Sequence, residues 1–102
     1  MTVLIIEDED LAAWGLISKL RRLDPGIDIV ATLDTVTAAV QWFRENPAPD
    51  LAFFDIQLAD GLSFEIFDQV KVPCPIIFTT AYDAYALRAF KVNSVDYLLK
   101  PI

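Results

Sequence analysis

Leu51-Ala52-Phe53-Phe54-Asp55 is the stretch on which the fold turns: an unbroken apolar run that ends in a carboxylate. A strand with one wet face alternates apolar and polar residues, whereas a continuous run of this kind belongs to a strand covered on both faces, as in a parallel sheet. The same arrangement opens the chain, where Val3-Leu4-Ile5-Ile6 runs straight into Glu7-Asp8-Glu9-Asp10. Between these two runs, apolar residues at Leu16, Leu20 and Leu23 predict a first helix that starts near Leu11 and closes at Asp24-Pro25-Gly26, with Trp14 opposite the stripe. A second strand is predicted over 27–31. Val36, Ala39, Val40 and Phe43 then mark a second helix that stops before Asn46-Pro47.

Beyond Asp55, Asp60-Gly61 supplies a turn and residues 62–70 a short third helix. Pro73 and Pro75 bracket the approach to a fourth strand over 76–79. Asp83 caps a fourth helix over 84–90, and a fifth strand over 95–99 runs into Lys100-Pro101. Strands and helices alternating at this rhythm predict a doubly wound α/β domain, a parallel sheet with helices on both faces. In such sheets the ligand site lies beyond the carboxyl ends of the strands. Glu7 and Asp8 after the first predicted strand, Asp55 after the third, Thr80 after the fourth and Lys100 after the fifth each fall at a strand end or just past it, so they are expected on one rim.

Composition narrows the chemistry. A chain of 102 residues, 55% hydrophobic and 23% charged, is expected to be one globular domain with its own core. No apolar run approaches the roughly 20 residues of a membrane span, and no basic stretch precedes the first one as in a secretory leader, so the chain is expected in the cytoplasm without membrane contact. A net charge of -7 argues against direct binding to a nucleic-acid backbone. The single cysteine, Cys74, excludes an internal disulfide and reads as a small buried hydrophobe between two prolines. The absence of histidine removes Ser-His-Asp and Cys-His nucleophile systems together with histidine metal sites. What remains is chemistry on carboxylates, hydroxyls and lysine.

Three carboxylates on one rim repel each other unless a cation neutralises them. Mg²⁺ suits the position, because it takes oxygen ligands, keeps several waters and is commonly held by one or two carboxylates plus a phosphate. Asp8 and Asp55 are expected to ligate directly, the backbone carbonyl of Gln57 to add a third protein oxygen, and Glu7 to act through water. With a cation and Lys100 offsetting charge on the transferring oxygens, Asp55 can attack a phosphoryl group as a nucleophile, and Thr80 can donate its hydroxyl to the bound group.

Ile6-Glu7-Asp8-Glu9-Asp10, Phe54-Asp55-Ile56-Gln57-Leu58 with Asp60-Gly61, Thr79-Thr80-Ala81 and Tyr97-Leu98-Leu99-Lys100-Pro101 occur in the order seen in response regulator receiver domains, and the chain resembles that family over nearly its whole length. The resemblance implies a CheY-like, flavodoxin-like sheet of five parallel strands in the order 2-1-3-4-5. It implies Asp55 as phosphoacceptor, Glu7 and Asp8 as the acidic pair, Thr80 as the switch hydroxyl, Tyr97 as the switch aromatic and Lys100 as the phosphate-binding lysine. The implied partners are a sensor histidine kinase, which donates the phosphoryl group, and a second copy of the chain on activation. The segment 82–90 is similar to receivers whose regulators carry a LytTR-type DNA-binding domain, which points to transcriptional output. Receivers normally continue into a fifth helix after the Lys-Pro, so residues 1–102 are expected to be a receiver lacking that helix and its output domain.

Three other readings compete. A haloacid-dehalogenase-like phosphatase also forms an aspartyl phosphate, but it carries a second aspartate two positions after the nucleophile, where this chain has Gln57. A flavin-binding flavodoxin-like domain needs a hydroxyl-rich or glycine-rich phosphate loop after the first strand, and acids stand there instead. A receiver-like interaction module that is never phosphorylated would have no use for the complete set of acids, hydroxyl and lysine. The chain is therefore expected to catalyse only its own phosphorylation and dephosphorylation, and not to turn over a substrate as an enzyme.

Overall fold

The computed structural model describes residues 1–80 and 96–99 of the chain. In chain order its elements are β1 (Thr2–Ile6), α1 (Asp10–Leu23), β2 (Asp28–Leu33), α2 (Val36–Glu45), β3 (Leu51–Asp55), the two-residue strands β4 (Gln57–Leu58) and β5 (Gly61–Leu62), α3 (Phe64–Gln69), β6 (Ile76–Thr80) and β7 (Asp96–Leu99). The main sheet has five strands in the order β2-β1-β3-β6-β7, and every pairing in it is parallel. This is the doubly wound arrangement read from the sequence, with β6 and β7 as the fourth and fifth strands. The predicted fourth helix over 84–90 and Lys100 lie outside the described residues.

The two long apolar runs became the central strands because each has a helix layer to bury against on either face. Alternation along β1 sends Val3 and Ile5 to one face and Leu4 and Ile6 to the other. The first pair packs with Ala13 and Leu20 of α1 and with Phe53. The second pair joins a larger core with Val36, Ala39 and Val40 of α2, Phe64 and Ile66 of α3, and Phe54 and Phe78. Phe54 is the hub of that core: its ring stacks on Phe67 at 5.6 Å and meets Phe78 edge-on at 6.0 Å. Cys74 packs partly buried against this cluster, and burial pushes its thiol up, which keeps it protonated as a packing residue.

Two element boundaries and the burial of one residue differ from those predicted. Leu23 lies on the angular face of Leu16 and Leu20, yet it is 82% exposed. The 14 residues of α1 make a helix about 21 Å long, whereas five residues of β1 span roughly 17 Å, so the last helical turn overhangs the sheet. β2 runs later than predicted, as a sheet-edge strand whose side chains alternate between exposed and half-buried, and it carries Asp28 and Thr32. α3 starts at Phe64, because Leu62 is taken by the β4–β5 ribbon. Trp14, predicted opposite the buried stripe, is 72% exposed. Among the described residues no helix is long and apolar enough to cross a membrane.

Candidate functional site

Strand register decides what meets at the carboxyl edge of the sheet. Ile6 is level with Phe54, so Glu7 is the next residue out on β1 as Asp55 is on β3. Asp55 is in turn level with Thr79, and Thr80 with Leu99. Glu7 and Asp55 share the alternation of Ile5 and Phe53, which directs both side chains to the α1 face. The result is a cluster in which carboxylate oxygens of Glu7, Asp8 and Asp55 all lie within 4.8 Å of one another. Glu7 and Asp55 are buried, Asp55 to 5% exposure, while Asp8 faces solvent.

Burial makes this cluster costly by itself, since like charges at such distances are weakly screened once water is excluded. A set of hard oxygen donors with one open side suits a small divalent cation. An octahedral Mg²⁺ shell is roughly 4 Å across, so oxygens that all lie within 4.8 Å of one another are close enough to share such an ion, directly or through its waters. A cleft of about 230 Å³ between α1 and the end of β2 is lined by Glu7 together with Asp10, Trp14 and Asp34.

Of the residues singled out in the sequence, the structure brings Glu7, Asp8 and Asp55 together. Gln57 opens β4, two residues beyond Asp55. Thr80 ends β6, and Tyr97 lies in β7, level with Phe78. Lys100 is the residue after β7 and lies outside the described residues.

A further residue of the site region, Asp60, reads in the sequence as part of a turn and of the motif after Asp55, with no site role of its own. Its carboxylate reaches the start of α2, accepting from the Val36 N–H at 2.6 Å, the Thr37 N–H at 3.1 Å and the Thr37 hydroxyl at 3.1 Å. Desolvation by the surrounding chain pulls the exposed Asp60 carboxyl up, but these donors together outweigh it and hold the group below the ordinary carboxylate value. Thr35 completes the cap, its hydroxyl accepting from the Ala38 N–H at 3.0 Å and its carbonyl from the Ala39 N–H at 3.1 Å. All four leading N–H groups of α2 thus have partners. The Asp60 link joins residues 24 apart in the chain, a distance at which local pattern is silent.

Comparison with known proteins agrees with this architecture. The model of the response regulator receiver domain matches residues 3–102. The sensory transduction protein LytT of Bacillus anthracis is 42% identical over 104 residues, covering 99% of this chain and 42% of its own length. The transcriptional regulatory protein LytR of Staphylococcus aureus is 36% identical over 104 residues, again covering 99% of this chain and 42% of that protein. The chain therefore spans about two fifths of the length of these relatives. Among solved structures, the response regulatory domain of mrkE from Klebsiella pneumoniae superposes with a TM-score of 0.80 at 32% identity, covering 100% of this chain and 84% of that one. With sequence, strand order and acidic rim in agreement, the chain belongs to the response regulator receiver domain family.

Proposed function

We propose that the chain accepts a phosphoryl group on Asp55 from the phosphohistidine of a sensor kinase, with Mg²⁺ bound at the rim, and passes the signal on by a change of conformation. The observation that carries this reading is the position of Asp55: nearly buried at the end of the central strand, with carboxylate oxygens of Glu7 and Asp8 within 4.8 Å. In the transfer a carboxylate oxygen of Asp55 attacks phosphorus, a new O–P bond forms, and the P–N bond to the donor imidazole breaks. The electron pair of that bond leaves with the imidazole nitrogen.

Asp8, Asp55 and the backbone carbonyl of Gln57 would hold the cation directly, and Glu7 through water. When bound, Mg²⁺ supplies charge neutralisation for the transferring oxygens. Asp55 ends the central strand and is 5% exposed, which supports a carboxylate held in one position for attack. Lys100 pairs with the phosphoryl oxygens, Thr80 donates its hydroxyl to them, and Tyr97 turns inward as Thr80 moves. The change is a population shift, limited to the free energy by which the phosphoryl group prefers one arrangement. It is read out as association of two copies, and through an output domain that is transcriptional and LytTR-type, in keeping with the name of the Staphylococcus aureus relative. In this reading the chain works in the cytoplasm, touches no nucleic acid itself, and catalyses only the gain and loss of its own phosphoryl group.

The test uses acetyl phosphate as a small phosphodonor. With Mg²⁺ the chain should gain one phosphoryl group as an acyl phosphate, which hydroxylamine removes and which does not form when the cation is chelated. A modification resistant to hydroxylamine, or indifferent to chelation, would contradict the reading.

A further inference from the structure

The loop that follows Asp55 is a miniature ribbon, Gln57 and Leu58 pairing with Leu62 and Gly61 across the two-residue turn Ala59-Asp60. A two-stranded ribbon is marginal on its own, so its place is set by what it is tied to. Its base is held to the sheet and to the start of α3: the Ile56 N–H donates to the Thr79 carbonyl at 3.2 Å, and the Ser63 N–H to the Ile56 carbonyl at 2.8 Å. Leu58 is buried in the α2–α3 core, and the Leu62 N–H donates to the Glu65 carboxylate at 2.9 Å. At the tip, Asp60 binds the first turn of α2 through three donors, a charge-assisted contact at the positive end of a helix. The ribbon thus runs from the acceptor residue at one end to a helix that contributes none of the clustered carboxylates at the other.

We infer that Asp60 is a positioning residue for the acceptor site: by tying the ribbon tip to α2 it holds Gln57 beside Asp55, so that cation affinity depends on this tether. The inference rests on the proposed function, because it takes the Gln57 carbonyl as a ligand of the cation. It goes beyond that reading in making the first turn of α2 part of the support of the site. By reciprocity, a ligand that fixes the ribbon also tightens the grip of Asp60 on Val36 and Thr37.

Thr35 supplies the control, because it caps the same helix through Ala38 and makes no hydrogen bond to the ribbon. Asp60→Ala and Thr35→Ala should both lower stability. Only Asp60→Ala should also weaken Mg²⁺ binding to the 102-residue chain, by roughly tenfold, as loss of an outer partner of a metal ligand does. In the metal-free protein, amide exchange at Gln57, Leu58, Gly61 and Leu62 should quicken in Asp60→Ala and not in Thr35→Ala. Asp60→Asn keeps one acceptor oxygen and should give an intermediate loss of affinity, which carries the test if Asp60→Ala does not fold. In the parent, added Mg²⁺ should shift the Val36 and Thr37 amide resonances. Equal effects of the Asp60 and Thr35 variants on affinity, or unchanged affinity and exchange in the Asp60 variants of a parent that binds Mg²⁺, would overturn the inference alone. A parent that binds no Mg²⁺ would overturn the proposed function and this inference together.

Discussion

Two exposed aspartates owe their importance to what donates to them. Asp50 accepts from the Thr2 backbone N–H at 2.8 Å and the Thr2 hydroxyl at 3.2 Å, while the same hydroxyl accepts from the Asp50 N–H at 3.0 Å, which pins the start of β1 to the start of β3. The backbone donor first, then the hydroxyl, hold the Asp50 carboxyl below its ordinary value of 3.8. The folded chain therefore binds this proton less readily than the unfolded one. The stability it confers is present above the ordinary value and is lost as pH falls through the lower, folded value. Asp60 has the same sign. Asp50→Asn should accordingly be less stable than the parent at about pH 7, with the gap narrowing at about pH 3, measured by urea unfolding at each pH. A gap that widens in acid would contradict the account. Asp55, Glu7 and Asp8 were legible in the sequence because an acid cluster directly after a buried run has few structural uses. The link from Asp60 to α2 was not, because a carboxylate in a turn says nothing of a partner 24 residues away.

At the scale of elements, legibility followed length and burial. β1 and β3 could be read directly, since strands covered on both faces show as unbroken apolar runs. The second helix could be read from Val36, Ala39 and Val40, all of them buried, and Phe43, packed beside them. The β4–β5 ribbon could not, because strands of two residues have no period to detect, and its Leu62 was absorbed into the predicted helix. Leu23 misled because periodicity gives the angle of a side chain about its helix and not whether the sheet extends beneath it. Gly61 is where the ribbon is most exacting: its φ of 148° lies where side chains are strained, and a Cβ there would meet the Glu65 carboxylate that accepts from Leu62. Gly61→Ala should cost about 1–3 kcal/mol in urea unfolding. A neutral result would show that the ribbon rearranges freely.

Across the whole molecule, the doubly wound class and the rim were legible because strand and helix alternate regularly and such a sheet gathers its strand ends, whereas the strand order was implied by the resemblance to receiver domains. The cost of that gathering is carboxylate repulsion, so a cation bound at the rim would be linked to folding. Mg²⁺ should raise the melting temperature, with a stabilisation of about 2.7 kcal/mol at a hundredfold excess over its dissociation constant. Asp8→Asn should blunt the effect while leaving the metal-free chain no less stable, because it removes a like charge from the cluster. A parent melt indifferent to Mg²⁺ would remove the cation from the account. The most direct test of the central claim, that Asp55 is the acceptor, is the intact mass of the parent and of Asp55→Asn after incubation with acetyl phosphate and Mg²⁺. The account predicts one added phosphoryl group on the parent and none on the variant. Equal labelling of the two proteins, or no labelling of a folded parent that binds Mg²⁺, would contradict it.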